Sequence, residues 1–184
     1  MTLALAALVM AAGLPALGSL LGRRSLDAAA AVLAGEIARA RQEAIVRGRH
    51  VGLAFEATPG GGRFAVYIDG GRPGIRGVEI ASGLDMLVRG PIDLTASFEG
   101  VHLGIPGPGS VPRVPPARGA LQPGDDPVQF GNADIVSFSP RGESTSGAVY
   151  LTDRRGGLRA VVVYGRTGRI RVWTFVPEVH RWRQ

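Results

Sequence analysis

Met1 to Leu21 contains no charged residue, and apolar residues at helical spacing run on from there to Arg47 with one break at Gly22-Arg23-Arg24. After Gly48 the pattern switches from helical to alternating, beginning with Arg49-His50-Val51-Gly52-Leu53-Ala54-Phe55-Glu56. A chain written this way must place a long helix, apolar first and amphipathic second, directly ahead of a β domain. At a rise of ~1.5 Å per residue the apolar stretch is about long enough to cross a bilayer. Gly13, Pro15 and Gly18 weaken it as an exposed helix but are tolerated inside a membrane.

Two rivals share this stretch. A secretory signal peptide has a small-residue region in Met10-Ala11-Ala12-Gly13, yet no basic segment precedes the apolar run. A buried core helix suits short apolar runs better than a terminal one of this length. Arg23 and Arg24, on the C-terminal side of the span, bias orientation toward a cytoplasmic β domain, so a feature that reverses this bias is expected to be missing from the written sequence.

In the amphipathic half, Leu26, Ala30, Leu33, Ile37, Ala40 and Ala44 share one face. Ser25 is expected to cap a restarted helix after the break, and Gly48 to end it. Strands are expected at Val51–Glu56, Arg63–Asp69, Ile92–Phe98, Val101–Ile105, Val128–Phe130, Ile135–Ser139, Ala148–Asp153, Arg159–Tyr164 and Arg169–Phe175. Turns fall at Pro59-Gly60-Gly61-Gly62 and at 69–74, and the Pro/Gly-rich stretch 106–127 reads as an exposed, mobile loop. Many short antiparallel strands call for two sheets with a helix packed against them. The resulting organisation is a membrane half of the helix over 1–22, an amphipathic half over 25–48, a β domain over 50–175 with flexible loop 106–127, and a basic tail over 176–184.

Chemistry is sparse. The chain has no cysteine, which excludes disulfides and thiolate metal sites. His50, His102 and His180 are isolated, without metal-binding spacing, and no nucleophile elbow or phosphate loop is present. Asp69, Glu79 and Asp85 are the one set worth weighing as cation ligands, but Gly71-Arg72 stands where further acids would be needed. Asp125-Asp126 reads as loop solubility. No catalytic residue, metal or cofactor is expected.

All 21 basic residues are arginine. Up to residue 140, twelve arginines balance twelve acids; from 141 on, nine arginines meet only Glu143, Asp153 and Glu178, so the whole net charge of +6 lies in the C-terminal quarter. On a strand, Arg169 and Arg171 share a face with Trp173, near Arg166 and followed by Arg181, Trp182 and Arg183. Such a row is either a solvated strand face or a grip for phosphates with bases stacked on the indoles.

Three stretches together carry a family resemblance: Ala40–Glu56 (ARQEAIVRGRHVGLAFE), Val136–Asp153 (VSFSPRGESTSGAVYLTD) and Arg159–Phe175 (RAVVVYGRTGRIRVWTF). In this order they resemble the GspH/FimT family of type IV pilin-like proteins, over roughly 1–56 and 130–175. The resemblance implies an α+β, pilin-like fold: a long N-terminal helix, half in the membrane and half packed on a mainly antiparallel two-sheet β domain. It implies a structural role as a minor pseudopilin of a type II secretion system, at the tip of a pseudopilus that helps export folded proteins. It also implies anchoring in the inner membrane by a single pass, with the C-terminal domain in the periplasm. Leu5, Leu8, Val9, Leu14, Pro15 and Leu17 would then form the membrane and assembly helix.

Implied partners are other pseudopilins or pilins, the inner membrane and exported cargo. The family's precursors carry a basic leader and a GFTLIE-like cleavage motif, after which the new N-terminus is methylated. Aligning Pro15 with the family's helix proline places Met1 inside the helix, so the natural start is expected upstream. An in-frame stop codon just before Met1, with no leader after it, would refute this. The alternative is a FimT/FimU-like minor pilin binding DNA for transformation, because Gly168-Arg169-Ile170-Arg171 matches the Gly-Arg-x-Arg element of FimT-like proteins. That reading nominates Arg166, Arg169, Arg171, Trp173, Arg181 and Arg183. A secreted β-sandwich with a cleaved signal peptide is the reading outside this family.

Overall fold

The computed structural model describes the backbone of residues 2–58 and 61–184, and the side chains of 22, 24–58 and 61–184. Helix α1 spans Thr2–Arg47 without interruption. Ser25 is therefore inside the helix and caps nothing; its hydroxyl donates to the Glu99 carbonyl at 3.2 Å, tying the helix to a loop of the β domain. Gly22-Arg23-Arg24 does not break the helix, because one glycine costs only about 1 kcal/mol against alanine, a penalty a long helix absorbs. Gly48 takes a left-handed φ of 63° and ends it. Leu26, Ala29, Ala30, Leu33, Ile37, Ala40 and Ala44 are all fully buried. Four alanines in this stripe let the helix axis lie close to the sheets, while the leucines and isoleucine supply apolar area, about 1.5–3 kcal/mol each when fully buried. The nominated membrane residues Leu5, Leu8, Val9, Leu14, Pro15 and Leu17 lie outside the described side chains. Among the described residues no helix is long and apolar enough to cross a membrane.

Strands β1 (Val51–Thr58), β2 (Gly61–Ile68), β3 (Met86–Asp93) and β7 (Ile135–Phe138) form a four-stranded antiparallel sheet in the order β3-β2-β1-β7. Gly61 and Gly62, expected in a turn, are strand residues paired with Thr58 and Ala57; Pro59-Gly60 lies outside the described residues. A Cβ on Gly61 would fall 2.0 Å from Thr95 Oγ1, and one on Gly62 would fall 2.4 Å from Leu103 Cγ. These glycines admit close neighbours rather than a turn. Between β2 and β3 lies the short helix α2 (Gly77–Ala81). The strand expected at 92–98 is half helix, since Asp93 accepts from the Ala96 N–H at 2.9 Å and caps α3 (Leu94–Ser97).

Strands β4 (His102–Leu103), β8 (Gly147–Thr152), β9 (Leu158–Tyr164), β10 (Arg169–Val176) and β11 (Arg181–Arg183) form the second sheet, in the order β11-β10-β9-β8-β4. The segment 128–130 makes only an isolated bridge, from Val128 to Val149. Helix α1 and the two sheets enclose one core, to which Phe55, Phe64, Phe130, Phe138, Val149, Leu151, Val161 and Val163 contribute. Three ion pairs tie the helix to the sheets. Arg89 donates to Glu36 at 3.0 Å and Glu43 at 2.7 Å, and Arg159 donates to Asp27 at 2.6 Å.

The opposite face of the five-stranded sheet holds a second core of Ala148, Tyr150, Leu158, Ala160, Val162 and Phe175. Its cover is the segment expected to be an exposed loop. There β5 (Val111–Pro112) and β6 (Ala120–Leu121) pair with one another, and Val111, Val114 and Leu121 are buried against the sheet, together with Ile105 just before the segment. The tail likewise contributes: β11 extends the sheet through Thr174, Phe175 and Val176, and a 3-10 turn over Pro177–Val179 joins it to β10.

Candidate functional site on the outer face of the five-stranded sheet

Strand alternation on β10 sends Ile170 and Val172 toward the helix-side core, and Arg169, Arg171, Trp173 and Phe175 toward the outer face. The 111–121 lobe covers that face only in part. Between lobe and sheet lies a concavity of about 800 Å3, whose lining includes Val114, Pro116, Ala148, Tyr150, Val162 and four arginines, Arg113, Arg166, Arg169 and Arg171. No Asp or Glu among the described residues lines it. Among the described residues no ion pair engages any of the four arginines. Arg113 donates to the Gln129 side-chain carbonyl at 2.9 Å. The buried Nε of Arg171 has no acceptor.

The turn that presents Arg166 and Arg169 is held from three sides. Ser144 N–H donates to the Gly165 carbonyl at 2.7 Å, and Gly165 N–H donates to Ser146 Oγ at 2.9 Å. From the helix, Arg41 donates to the carbonyls of Gly142 at 3.2 Å and Thr167 at 3.4 Å. Gly168 has φ +60°, and a Cβ there would meet the Gly142 carbonyl oxygen at 2.2 Å and Arg41 Nε at 2.4 Å. The glycine of Gly-Arg-x-Arg therefore has a packing reason, whatever the arginines bind. At the floor, burial raises the Tyr150 phenol above its ordinary value, opposed by the hydrogen bond its oxygen accepts from Val114 N–H and by the charge of Arg113.

Of the six residues nominated from sequence, the structure gathers Arg166, Arg169 and Arg171 in the groove. Trp173 and Trp182 are half-buried and packed against the second core; Trp182 lies against Phe175 and Tyr150 and donates to the Pro112 carbonyl at 2.7 Å. Arg181 and Arg183 are exposed, and because Trp182 between them faces the second core, they point to the other side of the sheet. Arg113 was missed because it sits in a segment read as loop. A signal for it existed: Leu158–Val163 is buried on both faces, and its nearly unbroken apolar run demanded a cover that only 105–127 was free to supply.

Asp69, Glu79 and Asp85 do come together, with a carboxylate oxygen of each within 4.8 Å of the others. Protein donors already engage them: Asp85 accepts from Gly70 and Arg76 N–H, Glu79 from Arg72 N–H, and Asp69 from Gly71 N–H. The cluster anchors the 69–77 loop. His50 lies 3.6 Å from Asp69, and His180 packs edge-on to Phe175.

The fold and the site thus define an α+β protein with a helix set into a two-sheet core and an open, positively charged groove. A family model described as type II transport protein GspH matches residues 29–168, and the chain belongs to that family. The match runs from the buried stripe of α1 through the four-stranded sheet and through β4, β8 and β9, and stops at Gly168, one residue short of Arg169 and of strand β10. The family is structural rather than enzymatic. No curated protein and no solved structure matches the chain.

Proposed function

We propose that this protein is a minor pseudopilin of a type II secretion system, a structural subunit of the pseudopilus tip that helps export folded proteins. The apolar Met1–Leu21 stretch anchors it in the inner membrane by a single pass, with the β domain in the periplasm. The observation that carries the reading is the GspH match, whose span takes in most of the packed half of α1, the whole four-stranded sheet and strands β4, β8 and β9 of the five-stranded one. Membership implies neighbours of the same kind in a pseudopilus. A surface suited to such a neighbour lies at the β3 edge of the four-stranded sheet, where Val78, Leu84, Met86 and Leu87 are exposed.

Because the chain lacks cysteine, single-cysteine variants are clean probes. A Leu8→Cys variant in membranes is expected to form disulfide-linked adducts with cysteine-bearing pseudopilin subunits, and Leu87→Cys is expected to do so through the β domain. Failure of both, with the protein present in the inner membrane, would overturn the reading. A FimT-like minor pilin that receives DNA is the second reading, favoured by the gathering of Arg166, Arg169 and Arg171. It calls for DNA binding that weakens steeply with salt and is lost when these three become alanine.

A further inference from the structure

Arg113, Arg166, Arg169 and Arg171 border a groove whose walls are aliphatic, at Val114, Pro116, Ala117, Ala148 and Val162. Four guanidinium groups without a carboxylate partner, one of them with a buried Nε lacking an acceptor, form a donor set waiting for an anion. The planar fork of arginine suits carboxylates and phosphates equally. The walls discriminate between polymers that carry them. Single-stranded nucleic acid needs aromatic faces on which bases stack. Here both tryptophans and Tyr164, the one partly exposed aromatic of the lining, are packed against the second core, Tyr150 is buried, and the wall opposite the sheet is proline, valine and alanine. A duplex has no narrow ridge to insert into a concavity of about 800 Å3. A polypeptide offers both halves of the match, with carboxylates for the arginines and aliphatic side chains for the walls.

We infer that the groove between the 111–121 lobe and strands β8 to β10 is a docking site for an acidic polypeptide segment bearing aliphatic residues. Carboxylates of the segment pair with Arg113 and Arg171 inside and with Arg166 and Arg169 at the mouth. An aliphatic side chain between them rests on Val114, Ala148 and Val162. The site is separate from the helix and from the β3 edge, so it is compatible with assembly through either.

The test uses the full chain in detergent micelles and fluorescence anisotropy with three probes. These are a short labelled peptide of glutamates flanking a leucine pair, its analogue with serines for the leucines, and a labelled oligothymidylate of equal charge. The leucine peptide is expected to bind at least about tenfold more tightly than either other probe, a difference of about 1.4 kcal/mol. Arg171→Gln and Arg169→Gln are each expected to weaken it severalfold. Ala117→Trp keeps every charge and fills part of the groove, and is expected to abolish the preference for leucine over serine. Circular dichroism melting of each variant separates loss of binding from loss of fold. Equal binding of both peptides, unaffected by Ala117→Trp, would reduce the groove to diffuse surface charge and overturn the inference. Tighter binding of the oligothymidylate, lost in the arginine variants, would also overturn it and support the DNA-receiving reading.

Discussion

The two faces of the five-stranded sheet treat arginine in opposite ways. On the helix side, Arg159 is held by Asp27 of α1 at 2.6 Å, just as Arg89 of the facing four-stranded sheet is held by Glu36 and Glu43 at 3.0 and 2.7 Å. On the outer side, Arg113, Arg166, Arg169 and Arg171 border open space, and among the described residues no ion pair engages them. A largely buried guanidinium must be paired because its desolvation otherwise goes uncompensated, so the inner arginines are part of how the helix is fixed in position. Of the outer ones, Arg166 and Arg169 are exposed and Arg113 and Arg171 half-buried, so all but the buried Nε of Arg171 are open to a ligand. The lesson is that arginine enrichment in the C-terminal quarter is not one feature: Arg159 locks the fold, while Arg169 and Arg171 face outward from the next strand.

Substitutions should separate the two faces, and the largest effects belong to the inner one. Leu33→Ala removes a fully buried side chain from the helix-side core and is expected to cost about 2–5 kcal/mol in denaturant unfolding. A loss below about 1 kcal/mol would mean that the helix does not share the core in solution. Gly168→Ala, which sets a methyl against the Gly142 carbonyl and Arg41, is expected to destabilise by about 1–3 kcal/mol while every arginine is retained. Glu43→Gln leaves Arg89 with Glu36 alone, and a loss of about 1 kcal/mol is expected after allowing for the partial exposure of the pair. On the outer face, Arg166→Gln and Arg169→Gln should leave stability within about 0.5 kcal/mol of the parent. A clear loss there would show that these arginines serve the fold and erase the contrast between the faces.

The smallest effect concerns pH. Burial, followed by the charge of Asp126 and a hydrogen bond with it, raises the Asp134 carboxyl above its ordinary 3.8. The folded state therefore holds this proton more tightly than the unfolded one. The associated stability is fully present below 3.8 and is lost as pH rises through the raised value. Asp134→Asn removes that loss and tolerates the left-handed φ of 53° at this position. Its melting temperature relative to the parent is expected to rise slightly between acid and neutral pH, and a fall would contradict the assignment.

Much of the helix-side core was legible because it is periodic. The stripe from Leu26 to Ala44 is written at three-four spacing, and β1, β2, β7, β8, β9 and β10 each have a strand-forming run with turn residues close by. The errors cluster where a local rule met a tertiary partner. Gly61 and Gly62 look like turn glycines but are strand positions facing Thr95 and Leu103. Ser25 looks like a cap but lies within a helix steadied by packing on its far side. The candidate site was half legible: the spacing of Arg169 and Arg171 put them on one face, yet it could not tell that Arg181 and Arg183 face the other side of the sheet or supply Arg113.

The sequence by itself determined the long helix, the switch to β structure at Gly48, and the C-terminal excess of arginine, because helix and strand periods and net charge are local or additive properties. Only the tertiary structure decided that 105–121 is a cover rather than a loose loop, that the tryptophans face a second core, and which arginines remain unpaired. Those outcomes depend on which face of a doubly buried sheet must be shielded from water, and on which segments, distant along the chain, are left to shield it.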